Sequence, residues 1–312
     1  MAEAVDTLSL QGESRHAWRT VVPKEGMRHT FLMHQILALS SFQLAYLHPD
    51  RRQTYTAVGI HHQDAALRGM RKILQNINED NAPAAFATST LITLSVFASR
   101  GQDALDPDIE SQNVLDDLAD IFALVQGIGR VIAAAQMGLV MRGPFTHLFR
   151  EPPWETAPQP LFQKLLQRLP TLVSLFESEE SVDEDMRREL LAFVGGMREN
   201  LLRCSKPCVE NRDIRFLFYW PLHLSPNFMF WLRQRTPGVM VIILHYTTVL
   251  AHAEHRFWFL SGWTERVVQA VKEEAIEEPW AGAMDWAFEC IKVQRATPVS
   301  PPSTLPVENL AI

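Results

Sequence analysis

The chain has 312 residues, 47% hydrophobic and 21% charged, with a net charge of −7 and a pI near 5.9. That length permits one large domain with a sizeable core, and the acidic balance argues against direct nucleic-acid binding, which needs clustered Lys and Arg. Three cysteines, Cys204, Cys208 and Cys290, supply no disulfide framework and point to a reducing compartment, nuclear or cytoplasmic.

In chain order, the opening stretch "MAEAVDTLSLQGESRHAWRT" lacks the basic and apolar regions of a signal peptide. Residues 1–26 are expected to be flexible. The segment 27–47 is apolar on most sides and rich in small residues, the pattern of a helix central to a bundle. A second helix over 48–77 puts Tyr55, Val58, Gly59, His62, Ala66, Gly69 and Ile73 on one face. Asn81 reads as an N-cap, with Pro83 in the first turn of a helix to about Ser99. One long helix or two follow the turn-prone "SRGQDALDPD". The proline-rich stretch "EPPWETAPQP", 151–160, is the clearest internal break.

A further helix covers 161–177, and "SVDE" reads as a capping box with Ser181 as cap and Glu184 three residues on. Ser225–Pro226 and Thr236–Pro237 each place a capping residue before a proline in the first helical position. The helix begun at Pro237 is expected to run for about 23 residues. The tail, 297–312, is rich in Pro and Ser and expected to be flexible. No run of 18 apolar residues marks a membrane span. The fold class is all-α, a single multi-helix domain over 27–296.

The stretch 235–260, "RTPGVMVIILHYTTVLAHAEHRFWFL", combines high apolarity with three histidines. At 100° per residue, His245, Thr248, His252 and His255 fall within a sector of about 80°. This polar stripe faces either a packed neighbour or a cavity, where it would orient the polar end of an apolar ligand. Aromatic residues crowd the same third of the chain. Trp220, Phe228, Trp231 and Trp258 serve either as core or as the walls of such a cavity.

No metal or cofactor is expected. His252 and His255 lack the H-E-x-x-H spacing, and the "CSKPC" pair Cys204 and Cys208 is too few ligands for zinc. "GIGRVI" lacks the third glycine of a dinucleotide loop and does not follow a strand, so Gly127 and Gly129 mark close helix packing or a kink. No G-x-S-x-G or P-loop pattern occurs.

Three stretches, "HTFLMHQILALSSFQLAYLHPDRRQTYTAVGIHHQDAALRGM", "LDDLADIFALVQGIGRVI" with "RGPFTHLF", and "TPGVMVIILHYTTVLAHAEHRFWFLSGW", together resemble the carboxy-terminal regulatory domain of fungal zinc-cluster transcription factors. The nearest group is that of the sterol-uptake regulators. The resemblance implies an all-helical domain that forms a homodimer and encloses an apolar ligand. The family's six-cysteine DNA-binding cluster has no counterpart among the three cysteines here.

Two functions follow as expectations. In the first, the chain is a ligand-responsive regulatory module. A sterol- or polyketide-like molecule would lie among Trp220, Phe228, Trp231 and Trp258, its polar end on His245, Thr248 or His252. In the second, the fold serves as a cofactor-independent enzyme of specialised metabolism that cyclises or isomerises an apolar substrate. His245 and His252 would then supply acid–base chemistry, with His62 and Asp64 assisting.

Overall fold

The computed structural model describes residues 16–103, 113–134, 159–206, 212–274 and 276–296. Among these, every regular element is helical and no strand occurs, as the patterning predicts. The helices are α1 (Val22–Arg28), α2 (Thr30–Leu47), α3 (Arg52–Ile73), α4 (Ala82–Asp103) and α5 (Val114–Ala134). After them come α6 (Pro160–Ser178), α7 (Glu184–Cys204), α8 (Arg212–Tyr219) and α9 (Pro226–Arg233). The last three are α10 (Pro237–Glu254), α11 (Trp263–Glu273) and α12 (Trp280–Ala296).

The amino-terminal block is built on α2, which packs against α1, α3 and α4, while α4 leads to α5. Glycines set how closely α2 and α3 approach. A Cβ on Gly59 would lie 2.7 Å from the Phe42 ring, and one on Gly69 would lie 2.6 Å from Phe31 Cβ. Order begins earlier than the sequence suggests. Ala17–Val21 forms a helical turn leading into α1, because Trp18 and Val22 bury against Ile36 and Leu39 of α2.

The second block surrounds α10. It packs most extensively against α12 and α11, and also against α8, α9, α7 and α6. Fifteen of its eighteen residues are buried, so it is enclosed on all sides. The turn Trp258–Leu260 returns the chain to α4 and α2, and Trp263 Nε1 donates to the Phe97 carbonyl at 2.9 Å. These contacts join the two blocks.

Helix starts show where local reading holds. Ser225 caps α9, its hydroxyl accepting from Phe228 N at 3.2 Å. The capping box is shifted by two residues: Asp183 is the cap of α7 and accepts from Met186 N at 2.8 Å. Ser181 instead gives its N–H to Glu179. A carboxylate suits the positive helix end better than a hydroxyl. The Asn81 side chain turns back, accepting from Asn78 N at 2.9 Å, while α4 still begins at Ala82 and runs to Asp103. α10 ends at Glu254 after 18 residues, with His255 as its exposed C-cap.

Among the described residues one helical stretch, Ala82–Gly101, is long and apolar enough to cross a membrane, and it is 72% buried inside the protein. That is the state of a core helix. The apolar pair α9 and α10 bends by 98° at its break. Gly129 marks a close contact, its Cβ position 3.1 Å from Leu222, whereas Gly127 has open space beside it. Cys208, the 151–158 part of the proline-rich break, and the tail lie outside the described residues.

Candidate functional site

The polar stripe of α10 divides along its length. His245 and Thr248 are fully buried, His252 is partly open, and His255 is exposed. His245 lies mid-helix, facing α12, where Trp286 stacks on its ring with centroids 5.5 Å apart. Its Nδ1 is 2.8 Å from the Val241 carbonyl. A carbonyl can only accept, so Nδ1 carries the hydrogen. Nε2 is then a bare acceptor, buried and without a partner among the described residues. Burial pushes the His245 pKa down to about 4; the Val241 bond opposes this, and the Arg168 charge on α6 adds to it. The ring is neutral at pH 7.

Nearby groups complete a small polar island. Thr248 Oγ1 donates to the His245 carbonyl at 2.7 Å. Gln294 on α12 donates to the Thr248 carbonyl at 3.2 Å and contacts Cys290 Sγ at 3.4 Å. Gln294 Oε1 and Arg168 Nε are also buried without partners among the described residues. An unsatisfied buried polar atom costs about 1–3 kcal/mol, so this concentration of them is a feature that the fold tolerates at expense.

His252 belongs to a different cluster. Its Nε2 is 3.7 Å from Asp213, which is 1% exposed. Asp213 also accepts from Gln159 at 2.6 Å and from Arg256 at 3.2 Å. Burial raises the Asp213 pKa, while His252, Arg256 and Gln159 hold it down. A carboxylate placed so fixes the orientation of an imidazole. It also ties α8 to the end of α10.

The aromatic residues expected to surround the stripe do not face it. Tyr246, one residue on, points away from His245 towards Phe122 and Phe216. Trp220 packs on that same side, against Phe122, Tyr246 and Phe228. It is 1% exposed and donates to the Phe193 carbonyl at 3.2 Å. Phe228 is enclosed by Phe193 and Trp220. Trp231 is half-buried at the edge of the core. Trp258 meets Tyr46 of α2 and Phe259. These residues are therefore distributed around α10 and do not form one wall. The partner that the sequence does not single out is Trp286; its four-residue step to Cys290 and eight to Gln294 on α12 was the available signal.

The remaining candidates lie in the amino-terminal block. His62 Nδ1 is 2.9 Å from His34 Nδ1, across α2 and α3. Burial, then the charges of His34 and His61, lower the His62 pKa. Asp64 is exposed on α3. Neither joins His245 or His252 by any described contact. Among the described residues no group of three or more His, Cys, Asp or Glu side chains could hold a metal.

An open cleft of about 460 Å³ lies by the amino-terminal end of α10, lined by Glu179, Arg235, Glu274, Glu277, Glu278 and Trp280 among others. Arg235 there is engaged by Asp116 at 3.1 Å through both terminal nitrogens.

Fold and site thus define an all-helical domain whose central helix is enclosed and carries a neutral, unpaired imidazole acceptor. Residues 2–131 match the family of the fungal specific transcription factor domain, a stretch that includes α1 to α4 and most of α5. Sterol uptake control protein 2 of Candida albicans (strain SC5314 / ATCC MYA-2876) is 32% identical over 117 residues. That alignment takes in 38% of this chain and 15% of the relative's length. No solved structure matches. The two matches agree with the family resemblance read from the sequence, and they support a transcription-regulator-type role.

Proposed function

We propose that this chain is a ligand-responsive module of the transcription-regulator type, nuclear or cytoplasmic, that takes up an apolar small molecule of sterol or polyketide class. The observation that carries this reading is His245, a buried neutral imidazole with one nitrogen left unpaired among the described residues. Such a group is the polar contact that fixes the orientation of a mostly apolar ligand. The similarity to a sterol uptake control protein supports the ligand class. Occupancy would favour one arrangement of α12 over α10 and so alter the surface offered to partners. Homodimerisation belongs to the same reading, and the exposed apolar side chains Leu44, Leu47 and Val58 on α2 and α3 support it. The acid–base candidates His245, His252, His62 and Asp64 lie in separate surroundings, so regulation is favoured over catalysis.

The test is a mass balance with the purified chain in a lipophilic extract of fungal cells. The expected result is depletion of one compound in a one-to-one ratio with protein, recovered intact on denaturation. Retention of nothing would overturn the reading, and conversion of many equivalents into a new species would replace it with an enzyme.

A further inference from the structure

Three helices, α6, α10 and α12, bound the surroundings of His245. α6 and α12 lie along α10 in opposite directions. Phe176 meets Trp280 at one end, with ring centroids 5.8 Å apart. At the other end the Lys164 charge reaches Cys290. Arg168 and Trp286 sit between these ends, with His245 beneath them. Trp286 is only half-buried, so the ring that covers His245 itself reaches the surface.

The polar atoms of this slot restrict what can enter. The Val241 carbonyl fixes His245 as an acceptor at Nε2, so an entering group must donate a hydrogen. A ketone or ester has none to give. An ammonium group has hydrogens but would face the Arg168 charge. A carboxylate would suit Arg168 but presents only lone pairs to the imidazole. A neutral hydroxyl can donate to the imidazole and still accept from Arg168 Nε–H, which is unpaired among the described residues. Thr248 cannot take the role of donor, because its hydrogen is given to the His245 carbonyl.

We propose that the slot between α6, α10 and α12 is a hydroxyl-selective subsite, in which a ligand alcohol donates to His245 Nε2 after Trp286 swings aside. The inference rests on the ligand-binding reading above and adds the functional group that is recognised. A site that leaves a buried acceptor unpaired discriminates strongly against an analogue that cannot pair with it.

The experiment uses three probes on one scaffold: cholestan-3-ol, cholestan-3-one and cholestane, measured by equilibrium dialysis against the full chain. The alcohol is expected to bind at least tenfold more tightly than the other two. His245→Leu should abolish that difference while leaving the affinity for cholestane within about twofold. Nitrogen-15 NMR of histidine-labelled wild-type protein gives a readout that does not depend on the variant folding. The Nε2 resonance should move upfield with the alcohol and stay in place with the ketone. Equal binding of all three probes would overturn hydroxyl selection and leave ligand binding standing, as would an Nε2 resonance that ignores the alcohol. Binding of none of them would overturn the subsite, and with it the sterol class of the reading beneath it.

Discussion

α2 and α10 are both 18-residue helices, apolar on most sides, and each sits at the middle of a block. They end in different states. Ten residues of α2 are buried, against fifteen of α10, and Leu44, Tyr46 and Leu47 of α2 remain exposed. The polar hydrogens of α2 find acceptors, while Gln35 Oε1 stays unpaired among the described residues. Ser40 and Ser41 donate to carbonyls four residues back, at 2.8 Å, and Gln35 donates to Ser95 at 2.8 Å. In α10 Thr247 donates four residues back and Thr248 three, and His245 keeps one nitrogen unpaired among the described residues. Similar apolar patterning therefore yields a half-exposed scaffold helix in one case and an enclosed helix in the other. What separates them is the number of neighbours the chain brings, which lies beyond any local pattern.

The comparison breaks most visibly at the shell of α10. Trp220→Ala removes the ring that touches Phe122, Tyr246 and Phe228. It should cost about 3–5 kcal/mol in urea unfolding, and a loss below about 1 kcal/mol would mean that the shell is loose.

Acid should act next. The His245 pKa is held at about 4, below its ordinary 6.5, so the unfolded chain takes up a proton that the folded one refuses. Its contribution is intact above pH 6.5 and is lost as the pH falls towards 4, by about 3 kcal/mol at 1.36 kcal/mol per unit. His245→Gln should flatten that part of the stability–pH curve, compared with wild type by urea unfolding at each pH. An unchanged slope would mean that His245 is not buried neutral.

The amino-terminal block is tested through its glycines. Gly59→Ala drives a methyl to 2.7 Å from the Phe42 ring and should cost about 1–3 kcal/mol. Gly127→Ala meets open space and removes a flexible residue from within α5, so a gain of about 0.5–1 kcal/mol is expected. Thermal unfolding of the two variants side by side gives opposite signs if the close approach of α2 and α3 is real.

Much of the fold was legible in the sequence, for identifiable reasons. Ser225–Pro226 announces a helix start through its hydroxyl cap and proline, Thr236–Pro237 through position and proline alone, since the Thr236 side chain makes no cap bond, and the apolar period marks the helices themselves. The family resemblance rested on stretches spread from the amino-terminal block to α10 and the turn after it, and the family match falls on residues 2–131. The candidate site was legible only in part. The periodicity of α10 places His245, Thr248 and His252 on one side, yet it cannot show that Asp213, 39 positions before His252, sits against that ring. Nor can it show that Trp220 serves the Tyr246 side while Trp286 covers His245. Those pairings are set by how α8 and α12 pack on α10, and aromatic density alone does not tell which face a ring will choose.

The central claim is that His245 stands as a neutral imidazole with its hydrogen on Nδ1 and a bare Nε2. Nitrogen-15 NMR of the His245 ring across pH tests it most directly. The account predicts a protonated Nδ1 and a free Nε2 at pH 7, with no titration until the pH approaches about 4. A ring that carries its hydrogen on Nε2, or one that titrates near 6.5, would contradict it.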